Sequence, residues 1–191
     1  MGREFELKYR ADAGGIAAIL EKYGEFTSIS METAYYDTPS FSLRPLRWML
    51  RRRLENGISV CTLKTPLPDG SRGEWEAEEG DIEKAVCKLC KLGAPKELKA
   101  LLSEGVVQVC SARFTRLAAA AEADGCTVEI ALDQGVLSGG GKEVPLWEVE
   151  VELKEGSETA AVTFAQTLAA QFGLTPEPDS KYKRALALTM E

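Results

Sequence analysis

Hydrophobic and charged positions alternate in the first ten residues of the chain. In residues 3–10, "REFELKYR", the apolar side chains of Phe5, Leu7 and Tyr9 fall between charged ones. This period of two predicts a β-strand with one apolar and one charged face. The apolar spacing then changes to that of a helix that ends near Gly24, with one face formed by Ile16, Ile19, Leu20 and Tyr23.

The rest of the chain continues the same mixture of strand and helix patterns. Further strands are predicted at residues 33–37, 46–54, 57–65, 72–78, 106–122, 126–133 and 145–154. Hairpin signals lie between some of them, at Asn56-Gly57, Asp69-Gly70 and Asp124-Gly125. Helical spacing covers 82–102, with a break at Gly93 to Pro95, then 158–172 and 180–189, and a loop is predicted at 175–179. Eight strands with interspersed helices in a single domain, 1–191, predict the α+β class or a barrel-like arrangement.

Charge is segregated by strand, with a change of sign from one strand to another. The shared faces carry Glu4, Glu6, Lys8 and Arg10 in the first strand, Arg51 and Arg53 in the third, Glu74, Glu76 and Glu78 in the fifth, and Glu148, Glu150, Glu152 and Lys154 in the eighth. One interpretation is the solvent side of a half-buried sheet. The other is a sheet that curls into a barrel with these faces inward, so that carboxylates line one side of a channel and guanidinium groups the other.

A charged interior would require a ligand, because an unpaired buried charge costs on the order of several kcal/mol. Carboxylates at alternate positions favour hard divalent cations such as magnesium, manganese or calcium. Arginine and lysine favour oxyanions, and their number indicates a polyanion such as a triphosphate. The candidate cations are Lys8, Arg10, Arg51, Arg53, Lys64, Arg72, Arg116, Lys181 and Arg184. Arg10 and Arg52 are the arginines with the weakest case for facing inward.

Composition limits the chemistry further. The net charge of -7 and the pI near 4.9 argue against general binding of nucleic acid or of anionic membranes. No apolar run approaches the ~20 residues of a membrane span, so we expect a cytoplasmic protein. The chain has no histidine, which excludes Ser-His and Cys-His nucleophile systems and leaves metal-assisted phosphoryl chemistry. Five cysteines indicate reduced thiols, and Cys87 and Cys90 fit a helical pattern better than a zinc or redox site.

Short motifs along almost the whole chain resemble the CYTH superfamily, also called triphosphate tunnel metalloenzymes. The opening Glu4-Phe-Glu6-Leu-Lys8 is similar to the Glu-x-Glu-x-Lys signature of that family. Further similar pieces follow in order: "YYDTP" at 35–39, "LRRR" at 50–53, "TLK" at 62–64, "RGEWE" at 72–76, "ALD" at 131–133, "WEVEVELK" at 147–154 and "SKYKRA" at 180–185. The resemblance implies an eight-stranded antiparallel β-barrel that forms a hydrophilic tunnel, with helices packed outside.

The same resemblance implies roles for individual residues. It implies two divalent ions, Mg²⁺ or Mn²⁺, one positioning the phosphate chain and the other activating water or a hydroxyl. The implied metal ligands or their orienting partners are Glu4, Glu6, Glu74, Glu76, Asp133, Glu148, Glu150 and Glu152. The implied triphosphate-binding residues are Lys8, Arg51, Arg53, Lys64, Arg116 and Lys181, to which the candidate cations add Arg72 and Arg184. The implied catalytic residues are Glu4, Glu6, Lys8 and Glu150.

The family contains several activities, and the sequence leaves them open. A metal-dependent triphosphatase acting on inorganic tripolyphosphate, with weaker activity on nucleoside triphosphates, is the leading hypothesis. An adenylyl cyclase of class IV, a thiamine triphosphatase and a non-catalytic polyphosphate or nucleotide sensor are the alternatives. We expect the stand-alone bacterial type without a second, histidine-containing helical domain, and a homodimer is compatible with the sequence.

Overall fold

The computed structural model of the protein describes residues 5–67 and 72–190. The strands are β1 (Glu6–Arg10), β2 (Thr27–Asp37), β3 (Met49–Glu55), β4 (Ile58–Pro66), β5 (Arg72–Glu78), β6 (Val107–Ala123), β7 (Cys126–Gly139), β8 (Lys142–Gly156) and β9 (Thr175–Pro176). The α-helices are α1 (Ala13–Tyr23), α2 (Ile82–Lys91), α3 (Glu97–Leu101), α4 (Glu158–Phe172) and α5 (Lys181–Ala187), and a 3-10 helix covers Arg44–Leu46. Glu4 and the predicted turn at Asp69-Gly70 lie outside the described residues.

The strands form one sheet in the order β5-β4-β3-β2-β6-β7-β8-β1-β9. Neighbouring strands run antiparallel in the β5-β4-β3-β2 and β8-β1-β9 parts of the sheet. The predicted α+β class with a large antiparallel sheet is therefore confirmed. All eight predicted strands are present, and β9 is a two-residue strand inside the segment predicted as a loop. Within the described residues the sheet has two ends, at β5 and β9, rather than closing into a barrel.

Contacts divide the chain into two compact units, each with its own hydrophobic core. Unit 1 comprises Met1–Ser30, Phe114–Val136 and Pro145–Ser180. Unit 2 comprises Met31–Arg113, Leu137–Val144 and Lys181–Glu191. No helix within the described residues is long and apolar enough to cross a membrane.

The core of unit 1 lies on the apolar face of β1 and β8. In the antiparallel register Leu7 pairs with Val151 and Tyr9 pairs with Val149, so the period of two in both strands puts these side chains on one face. The helices α1 and α4 pack against this face, α4 through Leu168, which is 2% exposed. The alternation in the sequence is thus the pattern of a sheet with one face in a core.

The core of unit 2 lies on the opposite face of β3, β4 and β5 from Arg51, Arg53, Lys64, Glu74 and Glu76. Leu50 and Leu63 are buried there, and they pair in register between β3 and β4. The amphipathic helix α2 and the indole rings of Trp48 and Trp75 pack against the same core. These charged residues therefore occupy the other face of the sheet, whereas Arg52 shares the parity of Leu50 and pairs with the buried Cys61.

Several element boundaries differ from the prediction, including the start of β2 at Thr27 rather than at residue 33, and two of the differences have identifiable reasons. The strand predicted at 46–54 begins only at Met49, because Pro45 lacks an N–H group and its segment forms the 3-10 helix. The strand predicted at 126–133 continues to Gly139, because the chain reverses only at Gly140 and Gly141, whose φ angles are 59° and 77°. Left-handed φ angles of this kind suit a tight hairpin turn between β7 and β8.

A buried carboxylate fixes the loop that follows β2. Asp37 has no exposed surface. Its Oδ1 accepts hydrogen bonds from the backbone N–H groups of Thr38 at 2.8 Å and Leu43 at 2.9 Å, and its Oδ2 accepts one from the N–H of Arg44 at 3.2 Å. One side chain therefore satisfies three backbone donors that the turn leaves without partners in the sheet.

Replacing Asp37 by alanine should destabilise the protein. We expect Asp37→Ala to lower the free energy of unfolding by about 3 kcal/mol or more, because three backbone donors lose a charged acceptor. Equilibrium unfolding in urea measures the change. The control is Glu32→Ala, an exposed position on the same strand, which should change stability by less than about 0.5 kcal/mol. Equal effects of the two substitutions would contradict the anchoring role of Asp37.

Candidate functional site

Unit 1 presents a charged face formed by two paired strands. The register of β1 with β8 pairs Glu6 with Glu152 and Lys8 with Glu150. Residues that pair directly across an antiparallel ladder project from the same face of the sheet. Burial differs along this face: Glu6 is exposed, Lys8 and Glu150 are half-buried, and Glu148 has no exposed surface. The charged face is therefore most enclosed near Glu148.

Three of the carboxylates predicted as metal ligands lie together at this point. Asp133 of β7 and Glu148 and Glu150 of β8 each offer one carboxylate oxygen, and these oxygens lie within 4.8 Å of one another. Asp133 and Glu148 are completely buried. We call these three residues the acidic cluster. Like charges at such separations repel one another strongly when water is excluded, so the cluster requires positive charge nearby.

Arg116 of β6 supplies one positive charge to the acidic cluster. Its Nε donates to Asp133 Oδ1 at 2.8 Å and its Nη2 donates to Asp133 Oδ2 at 2.7 Å, which makes the contact bidentate. Nη2 also donates to Glu150 Oε2. Burial of Arg116 opposes its charged form, but the hydrogen bonds and negative charges of Asp133 and Glu150 outweigh burial and raise the pKa of the guanidinium above its usual value. Arg116, predicted to bind substrate, thus contacts carboxylates in the protein itself.

The composition of the acidic cluster fits a divalent cation. Its three carboxylates offer oxygens that lie within 4.8 Å of one another, and Asp133 and Glu148 are completely buried. The donors are all oxygen, and the cluster contains no cysteine. Hard cations prefer such ligands. The acidic cluster therefore has the donor set and the charge to hold a metal ion.

The remaining predicted residues of unit 1 lie outside the acidic cluster. Glu152 forms an ion pair with Lys154, with 2.8 Å between Oε2 and Nζ. Arg10 extends outward with a side chain that is 61% exposed and contacts Glu177, whose carboxylate is buried. Glu177 was not identified from the sequence. Its backbone N–H donates to the carbonyl of Lys8 at 2.8 Å, so it anchors the segment after α4 to β1.

Unit 2 carries most of the predicted phosphate-binding residues, on strands β3, β4 and β5 and on helix α5. Arg51 and Arg53 of β3 are half-buried, as is Lys64 of β4. Lys181, the first residue of α5, is buried. We call Arg51, Arg53, Lys64 and Lys181 the basic set. Of the two other predicted cations in this unit, Arg72 is exposed and Arg184 is half-buried.

Two predicted metal ligands of unit 2 contact members of the basic set. Glu74 pairs with Lys64, with 2.9 Å between Oε1 and Nζ. Glu76 Oε1 lies 3.9 Å from Nη2 of Arg51 and accepts a hydrogen bond from the hydroxyl of Thr62 at 2.9 Å. These contacts follow from the register of β3, β4 and β5, in which Arg51 pairs with Thr62 and Thr62 with Glu76. Glu74 and Glu76 are thus placed to orient cationic side chains.

A pair of tyrosines packs beside the basic set. The rings of Tyr35 and Tyr182 have centroids 5.0 Å apart. Burial raises the pKa of Tyr182 to about 12, and the negative charge of Asp37 adds to the effect. Burial also raises the pKa of Tyr35, although the positive charges of Arg51, Arg53 and Lys181 work against this rise. The hydroxyl of Tyr35 therefore lies in the electrostatic field of three members of the basic set.

Removing Arg116 should destabilise the acidic cluster. We expect Arg116→Ala to lower the free energy of unfolding by about 3–5 kcal/mol near neutral pH, because it removes the guanidinium that contacts the buried Asp133 and the half-buried Glu150. Urea unfolding near neutral pH measures the loss.

The matched control for Arg116→Ala is Lys154→Ala. Lys154 also contacts two carboxylates, Glu129 at 3.5 Å and Glu152 at 2.8 Å, but its side chain is 43% exposed. Exposed ion pairs contribute less than about 1 kcal/mol. A loss for Arg116→Ala no larger than that for Lys154→Ala would show that the acidic cluster does not depend on Arg116.

Comparison with known proteins agrees with these features. The model of the CYTH domain matches residues 2–186. The inorganic triphosphatase of Haemophilus influenzae is 29% identical over 166 residues, which cover 86% of this chain and 47% of that protein. The chain therefore spans about half the length of this curated relative.

Solved structures share the fold at lower sequence identity. A putative adenylate cyclase from Bacillus halodurans superposes with a TM-score of 0.61 at 20% identity, covering 95% of this chain and 96% of that one. A Hippeastrum protein, described as a putative adenylyl cyclase with a dominant triphosphatase activity, has a TM-score of 0.58 at 18% identity, covering 98% and 95%. The family model, which matches nearly the whole chain, and this shared fold lead to one conclusion: the chain belongs to the CYTH domain family.

Proposed function

We propose that the protein is a metal-dependent triphosphatase whose preferred substrate is inorganic tripolyphosphate. The observation that carries the proposal is the acidic cluster, whose three carboxylates lie within 4.8 Å of one another, in a chain of the CYTH family with an inorganic triphosphatase as a relative. The basic set supports tripolyphosphate as the substrate, because four half-buried or buried cations suit an extended anion better than a single phosphate.

The acidic cluster is the proposed centre of cation binding. Asp133, Glu148 and Glu150 would hold Mg²⁺ or Mn²⁺, and the exposed Glu6 and the residue Glu4 complete the proposed ligands for two ions. Bound divalent ions supply Lewis-acid stabilisation of phosphoryl oxygens and lower the pKa of bound water. Arg116 would keep Asp133 and Glu150 in fixed orientations through its bidentate contact and its second hydrogen bond.

The basic set is the proposed binding surface for the phosphate chain. Arg51 and Arg53 would donate to phosphate oxygens through planar guanidinium groups, which match oxyanion geometry. Lys64 and Lys181 would add compact positive charge, and Glu74 would hold Lys64 in place through its 2.9 Å ion pair. Lys8, which pairs in register with Glu150, completes the proposed catalytic residues with Glu4, Glu6 and Glu150.

Phosphorus NMR of reaction mixtures tests the substrate and the reaction together. The purified protein is incubated separately with tripolyphosphate, ATP and thiamine triphosphate, each with Mg²⁺ and then with Mn²⁺. We expect orthophosphate and pyrophosphate to appear fastest from tripolyphosphate. Pyrophosphate and cyclic AMP from ATP would make the protein an adenylyl cyclase. The fastest release from thiamine triphosphate would make it a thiamine triphosphatase, and no product in any mixture would refute catalysis altogether.

Substitution of a cluster carboxylate tests the proposed metal site. We expect Glu148→Gln to lower phosphate release from tripolyphosphate more than about 100-fold. Losing a residue that only hydrogen-bonds to a metal ligand typically lowers activity about 10–100-fold, and losing the ligand itself should lower it further. Mg²⁺ or Mn²⁺ should raise the melting temperature of the wild-type protein and raise that of Glu148→Gln less, since a ligand that binds the folded state stabilises it. Chelation with EDTA should abolish phosphate release, and added metal should restore it.

The control for this test is Glu143→Gln, an exposed glutamate on the same strand that pairs with Ser138. It should leave phosphate release and the thermal response to metal unchanged. Full activity of Glu148→Gln with an unchanged response to metal would refute the role of the acidic cluster.

A further inference from the structure

We propose that strand β2 contributes two neutral hydrogen-bond donors, the hydroxyls of Tyr35 and Thr33, to the surface that binds the phosphate chain. The inference rests on the proposed function and deepens it, since it adds uncharged substrate-contacting residues to a surface otherwise described by its cations. Both residues lie in unit 2, on the strand adjacent to Arg51 and Arg53.

The register of β2 with β3 places these hydroxyl residues beside the arginines. Tyr35 pairs directly with Arg51, and Thr33 pairs directly with Arg53. Direct partners in an antiparallel ladder project from the same face, with Cβ atoms about 4.5–5.5 Å apart. An anion that contacts the guanidinium groups of β3 is therefore also adjacent to the side chains of Thr33 and Tyr35.

The hydroxyl of Thr33 is buried without a partner. Thr33 is 3% exposed, and its Oγ1 makes no hydrogen bond within the described part of the chain. The buried Nε of Arg51 also lacks a partner there. Buried polar atoms are nearly always hydrogen-bonded, so two unsatisfied donors on neighbouring strands indicate acceptors that come from outside the chain.

The hydroxyl of Tyr35 is fixed in position and stays protonated. Tyr35 is 5% exposed, and its ring packs on that of Tyr182, the neighbour of Lys181 in the chain. Three cations of the basic set act electrostatically on the Tyr35 side chain, which places it among them. Since burial nonetheless keeps the pKa of Tyr35 above its ordinary value, the hydroxyl remains a donor throughout the neutral and mildly alkaline range.

Neutral donors serve a purpose that further cations would not. Each phosphoryl group of a polyphosphate has several acceptor oxygens, whereas Arg51 and Arg53 already repel each other on the same face. A hydroxyl adds a directional hydrogen bond without adding repulsion to the protein in its unbound state. Tyr35 and Thr33 would therefore increase affinity for phosphate oxygens and make binding depend on their geometry as well as on charge.

Binding of tripolyphosphate in excess EDTA, followed by isothermal titration calorimetry, tests this inference without catalysis. We expect Tyr35→Phe and Thr33→Val each to weaken binding about tenfold or more, as expected for loss of a hydrogen bond to a charged group. Thr33→Ser, which keeps the hydroxyl, should restore most of the affinity. Unfolding in urea confirms that each variant is folded under the binding conditions.

The chain offers a matched control for each substitution. Tyr36 is the next residue of β2 and packs against the core of unit 2, on the opposite face from Tyr35. Thr65 is 3% exposed on β4, on the same side of that strand as the buried Leu63. We expect Tyr36→Phe and Thr65→Val to leave the binding constant unchanged.

The outcomes separate this inference from the proposed function. Unchanged affinity in both Tyr35→Phe and Thr33→Val, with binding by the wild-type protein, overturns the inference alone. If Tyr35→Phe and Thr33→Val weaken binding no more than the control variants do, the effect comes from packing, and this result also overturns the inference. Absence of wild-type binding in EDTA overturns it as well. Phosphate release with Mg²⁺ from the same preparations reports separately on the triphosphatase, so either proposal can fail while the other stands.

Discussion

The structure depends on how buried charge is balanced within each unit. In unit 1, the guanidinium of Arg116 contacts Asp133 and Glu150, and the completely buried Glu148 belongs to the same cluster. Desolvation makes each uncompensated charge costly, so this arrangement is stable only if the backbone holds it rigidly or if further positive charge arrives. The strands β6, β7 and β8 supply the rigidity because each of these residues projects from a continuous ladder rather than from a loop. The three neighbouring carboxylates are the physical basis for the cation binding that we propose.

The positive charges of unit 2 are arranged differently from the negative charges of unit 1. Its arginines and lysines are half-buried and are partly balanced by carboxylates on the adjacent strand, Glu74 for Lys64 and Glu76 for Arg51. The Arg51–Glu76 contact is long, at 3.9 Å, and Glu76 is also bonded to Thr62. A long contact of this kind orients the guanidinium without neutralising it fully, so the cation keeps much of its attraction for an incoming anion. The charged contacts of each unit follow from which strands lie next to each other in the sheet.

The sequence predicts the elements and faces well because they depend on local periodicity. The alternation of Glu148 and Glu150 with Val149 and Val151 correctly identifies a charged face and a core face on β8. Which charges meet is a different matter, because it depends on pairing between distant segments. The contact of Arg116 with Asp133 joins β6 to β7, and no local pattern distinguishes this arginine from one that faces a ligand. Glu177 gives even less signal, since it lies in an irregular segment and its contacts with β1 and Arg10 join segments that are distant in the sequence.

The same distinction explains why hydroxyl residues are harder to identify as site residues than charged ones. A charged residue at a strand position draws attention because burying it is costly, whereas a threonine or tyrosine is common in any strand. Thr33 becomes informative only once its burial, its unpartnered hydroxyl and its register with Arg53 are known together. Tyr35 likewise belongs to a tyrosine pair whose second member, Tyr36, looks identical in the sequence and packs into the core. The parity of the strand, rather than the residue type, therefore decides which of two adjacent tyrosines can contact a ligand.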